Sequence, residues 1–526
     1  MASCRRSSPS SARVGENVAN LTPELALLRD ETRDLAKRYG LDFYEVIFEL
    51  VDHDELNMVA SYGGFPTRYP HWRFGMEYEQ LSKSYAWGLS KIYELVVNND
   101  PCYAYLMRSN AITEQKLVMA HVYGHCDFFK NNAWFGQTSR KMMDVLANHG
   151  ARVRRYMDRH GVEQVEDFLD VVTSLDNLID PYSPFVVRDE GKPRDPDASR
   201  EVRKIAAKDY MDRFINPPEF LERQKRQLQQ DEQQSRRFPA RPARDVLKFL
   251  LDHAPLELWQ QDILAMVREE AYYFAPQGMT KIMNEGWAVY WHSKLMTQHL
   301  VEASEVVHYC DTHSGTLATR PGQINPYKLG VELFRDIEHR WDTGKFGDRY
   351  QACDDPEIRR RWNEPTRLGR KRIFDVRRIY NDVTFVDEFV TPEFAEDQKM
   401  FVYGRNPQTG QLEVVDRDYT KVKSQLLDAL TNFGNPIIRV VDGNHHNRGE
   451  LYLVHDWNGA DLQFDQAQLT LAGLQKLWGR PVHLETREGG KGRLLSFDGK
   501  EATTKEITAT TGAAALAFGK GKAPDA

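Results

Sequence analysis

Two histidines stand four residues apart in His121-Val122-Tyr123-Gly124-His125, inside a stretch that reads as a helix, AITEQKLVMAHVYGHCDFFK (111–130). That spacing puts both imidazoles on one helix face, about one turn apart. Two neutral imidazoles so placed can share one zinc ion or another divalent metal. Glu114 lies seven residues before His121 on the same face, where it could orient a histidine from behind. Thr113 is the expected N-cap of this helix. A second charged group interrupts an equally apolar run, KIMNEGWAVYWH (281–292): Glu285, with His292 two turns further on. A carboxylate delivered from a distant helix would complete the pair to three protein ligands. The fourth position would stay open for water, the pattern of a catalytic rather than a structural zinc site. The plainer alternative is two ordinary helix histidines and a packing motif, in which Gly286 permits close helix approach and Trp287 fills core.

The familiar metallopeptidase motif HExxH carries its general base directly after the first histidine. Here that position is Val122. A base must then come from elsewhere: Glu269 or Glu270 at the end of LAMVREEAYYF, or Glu285 if it is not a ligand. Tyr273 shares a helix face with Glu270, so an acid/base and a hydroxyl donor could act together. A solvated helix end is the alternative reading of this acidic pair. His313, ahead of a polar loop PGQINPY (321–327), could line the same cleft or lie on the surface. A basic run, Arg367-Leu368-Gly369-Arg370-Lys371-Arg372 with Arg377-Arg378 beyond, could meet phosphate or an acidic partner, or be solvated and structurally paired. No P-loop, GxSxG or Rossmann glycine pattern occurs, so ATPase, serine hydrolase and dinucleotide readings have no anchor.

The elements that must position these residues are mostly helical. Leu21-Thr22-Pro23-Glu24 reads as a helix start, with Thr22 as cap and Gly40 as stop. Helical patterns dominate to about residue 310, including YEQLSKSYAWGLSKIYELVVNN. Two polar stretches, 188–200 and about 216–244, read as linkers or solvated helix plus loop. From about 398 the pattern becomes β-β-α-β-β-α-β-β, a small α+β unit. The expected class is therefore mainly α: a large helical domain over 21–397, then an α+β domain over 398–499. Disordered tails are expected over 1–20 and 500–526.

The chain has 526 residues, 70 Lys+Arg against 77 Asp+Glu, and a formal net charge of −7. A globally basic nucleic-acid binder is excluded by that balance. No run approaches the roughly 18 apolar residues of a membrane span. Five scattered cysteines (Cys4, Cys102, Cys126, Cys310, Cys353) form no CxxC pair, which fits a reducing compartment. With no thiol cluster, any metal must rest on imidazole and carboxylate.

Several separated motifs, in order, resemble the SpoVR-like family, stage V sporulation protein R. They are GLDFYEVIFELV, YPHWRFG (69–75), YELVVNNDPCYAYLM (93–107), AHVYGHCDFFKNN (120–132), KIMNEGWAVYWH (281–292), GQINPYKLG (322–330) and IFDVRRIYNDVTFVDEFVT (373–391). The resemblance covers about 20–395, with the segment 398–485 similar to the family's C-terminal domain. It implies a bacterial cytoplasmic protein linked to sporulation, spore cortex or stress physiology. It also implies partners of the PrkA-type serine kinase and von Willebrand-like classes. Carried over by motif, His121, His125 and Glu285 are the expected ligands. A downstream EGWA helix also resembles the way gluzincin-like metallopeptidases supply their ligand glutamate. Two functions follow as expectations. One is a zinc-dependent amide or peptide hydrolase connected with the cell wall; the other is a non-catalytic regulatory or scaffold partner of the kinase module.

Overall fold

The computed structural model describes residues 21–86, 95–186, 217–225, 238–239, 241–320, 322–406 and 408–508. The 1–20 tail, the 188–200 stretch, about half of 216–244 and the chain after 508 lie outside these residues; 218–225 is helical. The chain is mainly α, a large helical region followed by an α+β segment built on a five-stranded sheet. No helix among the described residues is long and apolar enough to cross a membrane. Two compact units are formed. One contains the described residues of Met1–Ala147 and Ile282–Tyr380, the other those of Asn148–Lys281 and Asn381–Ala526.

The first unit opens with the Pro23–Arg38 helix, capped as expected: the Thr22 hydroxyl accepts from the Leu25 N–H, and Gly40 follows the helix at φ +88°. A three-stranded sheet comes next, with order β1-β3-β2. Strand β1 (Val46–Val51) runs parallel to β3 (Cys102–Met107), while β2 (Leu95–Val97) is antiparallel to it. The helical pattern read from the sequence runs on across Leu95–Val97. The helix Trp72–Ala86 in fact belongs to the N-terminal side of that stretch, and the β-branched Val96 and Val97 pair as strand.

Helix Ile112–Asn131, the histidine helix, is buried at nearly every position. That is the signature of a helix surrounded by protein rather than one with a solvent face. Its N-cap is Ala111 and not Thr113. The Thr113 hydroxyl is turned to Glu305 at 3.1 Å, and the Glu114 carboxylate takes the Ala111 N–H at 2.9 Å. Glu114 therefore serves the helix start, and its Oε1 lies 4.0 Å from His308 Nε2.

The Lys281–Leu295 helix, the glutamate helix, lies against the histidine helix at backbone distance. A Cβ on Gly124 would stand 2.7 Å from Ala288 Cα. On another face, a Cβ on Gly286 would run into the main chain of Gly330 and stand 2.8 Å from the Val331 nitrogen, in the Pro326–Asp342 helix. Trp287 is fully buried, and its indole N–H donates to Asp127 Oδ2 at 2.8 Å. Arg377, from the Gly369–Ile379 helix, brings its Nε within 3.6 Å of the same oxygen. Burial pushes the Asp127 carboxyl up to about 6, against the opposing pull of Arg377 and the indole. The packing alternative for EGWA is thus realised in full, alongside whatever Glu285 does.

These contacts leave no room for a methyl group. Gly286→Ala is expected to destabilise the protein by about 1–3 kcal/mol through overpacking. Denaturant unfolding of the variant beside the wild type checks this, and an unchanged midpoint would contradict the contact.

In the second unit, β4 (Val402–Arg405) and β5 (Leu412–Asp416) form their own two-stranded sheet. The five-stranded sheet has order β10-β9-β8-β7-β6: β6 (Ile438–His445), β7 (Glu450–His455), β8 (Val482–Glu488), β9 (Lys491–Phe497) and β10 (Ala502–Ile507). Helix Phe464–Trp478 makes the crossover that the parallel β7–β8 pair requires. Two features differ from the expectation. The first hairpin is separate from the main sheet, and β10 carries that sheet to Ile507, past the expected boundary at 499. The exposed, polar pattern of β10, ATTKEI, hid it as low complexity.

His445 ends β6 and stacks on Tyr452 at 4.4 Å between ring centroids, so it packs as well as turns. Burial, helped by His446 and His483, lowers its imidazole to about 4, against the pull of Asp442 and Glu450. An unfolded histidine titrates near 6.5. Between about 6.5 and 4 the unfolded chain therefore holds more protons, and stability is lost as pH falls through that window. Thermal melts from pH 7 to 4.5 should show a shallower acid loss for His445→Phe, which keeps the ring stack without the titration.

Candidate metal centre

Three side chains converge in the first unit. His121 and His125, one turn apart, have ring centroids 4.5 Å from each other. Glu285 enters from the glutamate helix, three residues before the Ala288 contact that holds the two backbones together. Its Oε2 lies 3.5 Å from His121 Nε2 and 3.4 Å from His125 Nε2. One donor atom from each residue falls within 4.8 Å of the others, and among the described residues no other group of three His, Cys, Asp or Glu does so. All three residues are at most 5% exposed, so charge placed here needs a partner. The two distances exceed the usual 2.7–3.2 Å of an N–H···O bond. They match the separation of about 3.3–3.4 Å between two donors that each stand about 2.0–2.1 Å from one tetrahedral ion.

The outer ring nitrogens are held too. His125 Nδ1 lies 2.9 Å from Asn284 Oδ1. A carbonyl oxygen only accepts, so Nδ1 carries the proton and Nε2 presents a lone pair towards Glu285. His121 Nδ1 lies 2.8 Å from His292 Nδ1, and His292 Nε2 lies 3.0 Å from His313 Nδ1. This chain of three imidazoles has two proton arrangements. In the one that begins with a donating His121 Nδ1–H, His121 also turns a lone pair to the site. Burial, then the neighbouring His121 and His313, holds the His292 imidazole well below its ordinary range. Burial and then Arg335 lower His313, which is only partly covered and stacks on Tyr309 at 5.5 Å.

The family assignment rests on the whole chain. The family described as "SpoVR like protein" matches residues 20–435, and "SpoVR-like C-terminal domain" matches 436–489. The chain belongs to the SpoVR-like family. One relative of this SpoVR-like chain is "Uncharacterized protein YcgB" of Escherichia coli (strain K12), 30% identical over 492 residues, covering 88% of this chain and 91% of the relative. No solved structure matches.

In the SpoVR-like chain, the expected ligands His121, His125 and Glu285 are brought together. His313 joins them through His292; it sits in the Val306–Thr316 helix rather than in a loop. Glu269, Glu270 and Tyr273 belong to the second unit. There Glu270 Oε1 lies 3.1 Å from His149 Nδ1, Glu269 Oε2 lies 3.2 Å from His149 Nε2, and Tyr273 is buried. The solvated-end alternative fails for Glu270, which is buried, and holds for Glu269. Arg377, from the basic run, is structurally paired. Sequence reading missed Asn284 and His149. Asn284 carried a signal, an amide beside a carboxylate in an otherwise apolar helix.

The Asn284 contact fixes a tautomer. In histidine-selective ¹⁵N spectra His125 should appear with its proton on Nδ1, and Asn284→Leu should shift it towards the Nε2–H form. A spectrum unchanged by that substitution would contradict the assignment.

Proposed function

We propose that His121, His125 and Glu285 hold a divalent metal, zinc by the nature of the donor set, and that the chain is a metal-dependent hydrolase of an amide or peptide bond. The observation that carries this reading is the approach of one carboxylate oxygen to two imidazole nitrogens at 3.4–3.5 Å. Two imidazoles and one carboxylate are the donors of known catalytic zinc sites. When bound, such an ion supplies Lewis acidity and lowers the pKa of a water towards about 7.

The chain's own residues do the remainder. Asn284 holds His125 in the tautomer that offers Nε2, and His292 can do the same for His121. Glu285 supplies the negative charge that offsets a cation, in a setting that excludes bulk water. His313 ends the imidazole chain where the cover thins. Val122, in place of the glutamate of HExxH, means that the water is not served by that position. Cell-wall amides are the substrate class the family name suggests, and a cytoplasmic location goes with it.

Val122 also favours a second reading, in which the chain is a non-catalytic partner of a PrkA-type kinase and a von Willebrand-like protein. In that case the ion would be structural.

Metal analysis of the purified chain tests the centre. About one zinc, manganese or iron per chain is expected, lost in His121→Ala and in Glu285→Gln but kept in Glu269→Gln. Absence of any stoichiometric ion, with none taken up on titration, would sink it. If the ion is present, release of free amine from amide-linked wall fragments separates the readings. Activity abolished by Glu285→Gln supports the hydrolase; no release by the loaded wild type supports the partner role.

A further inference from the structure

The basic run flagged in the sequence sends one residue into a cavity that the metal centre does not use. Leu35, Arg38, Tyr39, Gly40, His299 and Arg370 line a pocket of about 480 Å³ in the first unit. Its walls hold two guanidiniums, an imidazole and a phenol, and no carboxylate, in a chain whose net charge is −7. Neighbouring arginines on the same helices are neutralised: Arg33 by Asp30 and Asp34, Arg378 by Asp375. Among the described residues, Arg38 and Arg370 form no ion pair with a carboxylate.

The pocket is also held in place. The Arg370 guanidinium lies over the rings of Tyr39 and Trp291, at 5.3 and 5.2 Å, and donates to the Tyr39 carbonyl oxygen. A guanidinium packed against two rings and tied to a main-chain carbonyl is restrained, which favours a two-point contact of its remaining N–H groups with an oxyanion. The Tyr39 hydroxyl is engaged by Gln298 and by His299 Nε2, the latter at 2.9 Å. Both partners come from Met296–Leu300, a π-helical turn that continues the glutamate helix. Such turns are rare and concentrate at functional sites. At the end of the Pro23–Arg38 helix the carbonyls of Leu35, Ala36 and Lys37 accept from the N–H groups of Tyr39, Gly40 and Leu41.

We propose that this pocket binds a small phosphate monoester, with Arg38 and Arg370 on the phosphate oxygens. The volume lies within the range of small-molecule sites, about 300–1,000 Å³, and exceeds what phosphate alone fills. The rings of Tyr39 and His299, with Leu35 and Gly40 beside them, line the part of the pocket left for the organic group.

Calorimetric titration of the full chain with phenyl phosphate, inorganic phosphate and benzoate tests this. Saturable single-site binding is expected, with phenyl phosphate tightest. The double variant Arg38→Gln/Arg370→Gln should weaken it by about tenfold or more, as loss of two charge-assisted contacts would. Arg378→Gln, outside the pocket, should leave it unchanged. His121→Ala should also retain it, which separates the pocket from phosphate captured at the metal centre. Both arginines of the double variant are exposed, and circular dichroism verifies that it is folded. No saturable binding of either phosphate compound would overturn the proposal. So would an equal loss in Arg378→Gln, loss in His121→Ala, or benzoate binding as tightly as phenyl phosphate.

Discussion

The glutamate helix touches its neighbours backbone to backbone, and the first unit depends on that contact. Gly124 against Ala288 sets its distance from the histidine helix, and Gly286 against Gly330 sets it from the next. Side chains usually hold helix axes about 8–10 Å apart. Where glycine removes them, a side chain no longer than glutamate can reach two imidazoles on the facing helix. The same approach buries Trp287 and brings its N–H onto Asp127, so the core and the cluster arise from one packing event. A carboxylate and a guanidinium, Asp127 and Arg377, are carried into that core as a mutually compensating pair. Removing Asp127 would leave the Arg377 guanidinium buried without its carboxylate, which costs more than the pair itself contributes.

Much of this was legible in the sequence. The spacing of His121 and His125 and the placing of Glu285 in an apolar run pointed to three residues that do converge. Thr22, Pro23 and Gly40 marked the first helix. What stayed hidden has physical causes. Leu95–Val97 is too short to show alternation and follows a helical pattern directly. Thr113 looks like a cap, but capping depends on where its hydroxyl points, and Glu305, distant in the chain, takes it. Strand β10 is exposed and polar, so hydrophobic periodicity has nothing to read. Glu270 and Tyr273 share a face as expected; that Glu270 meets His149 is a tertiary fact that no local spacing records.

The imidazole chain and the arginine pocket share one helical segment. Residues 281–300 carry Glu285, Asn284 and His292 on the regular turns and Gln298 and His299 on the π-helical turn. Inserting one residue's worth of slack into a helix rotates everything beyond it. That rotation lets the polar end of an otherwise apolar helix turn to Tyr39 while the earlier turns keep their register on the histidines.

The pairing of the two helices has a metrological side. His125 and Asp127 on one helix answer Glu285 and Trp287 on the other, so a hydrogen bond between buried groups stands two residues beyond the cluster on both helices. The gap across the cluster is therefore a caliper closed by the fold, not by its contents. Oxygen ligands of calcium stand at about 2.3–2.6 Å and number six to eight. An ion of that size would have to separate helices that meet at their main chains, so the fold limits how far the three donors can part.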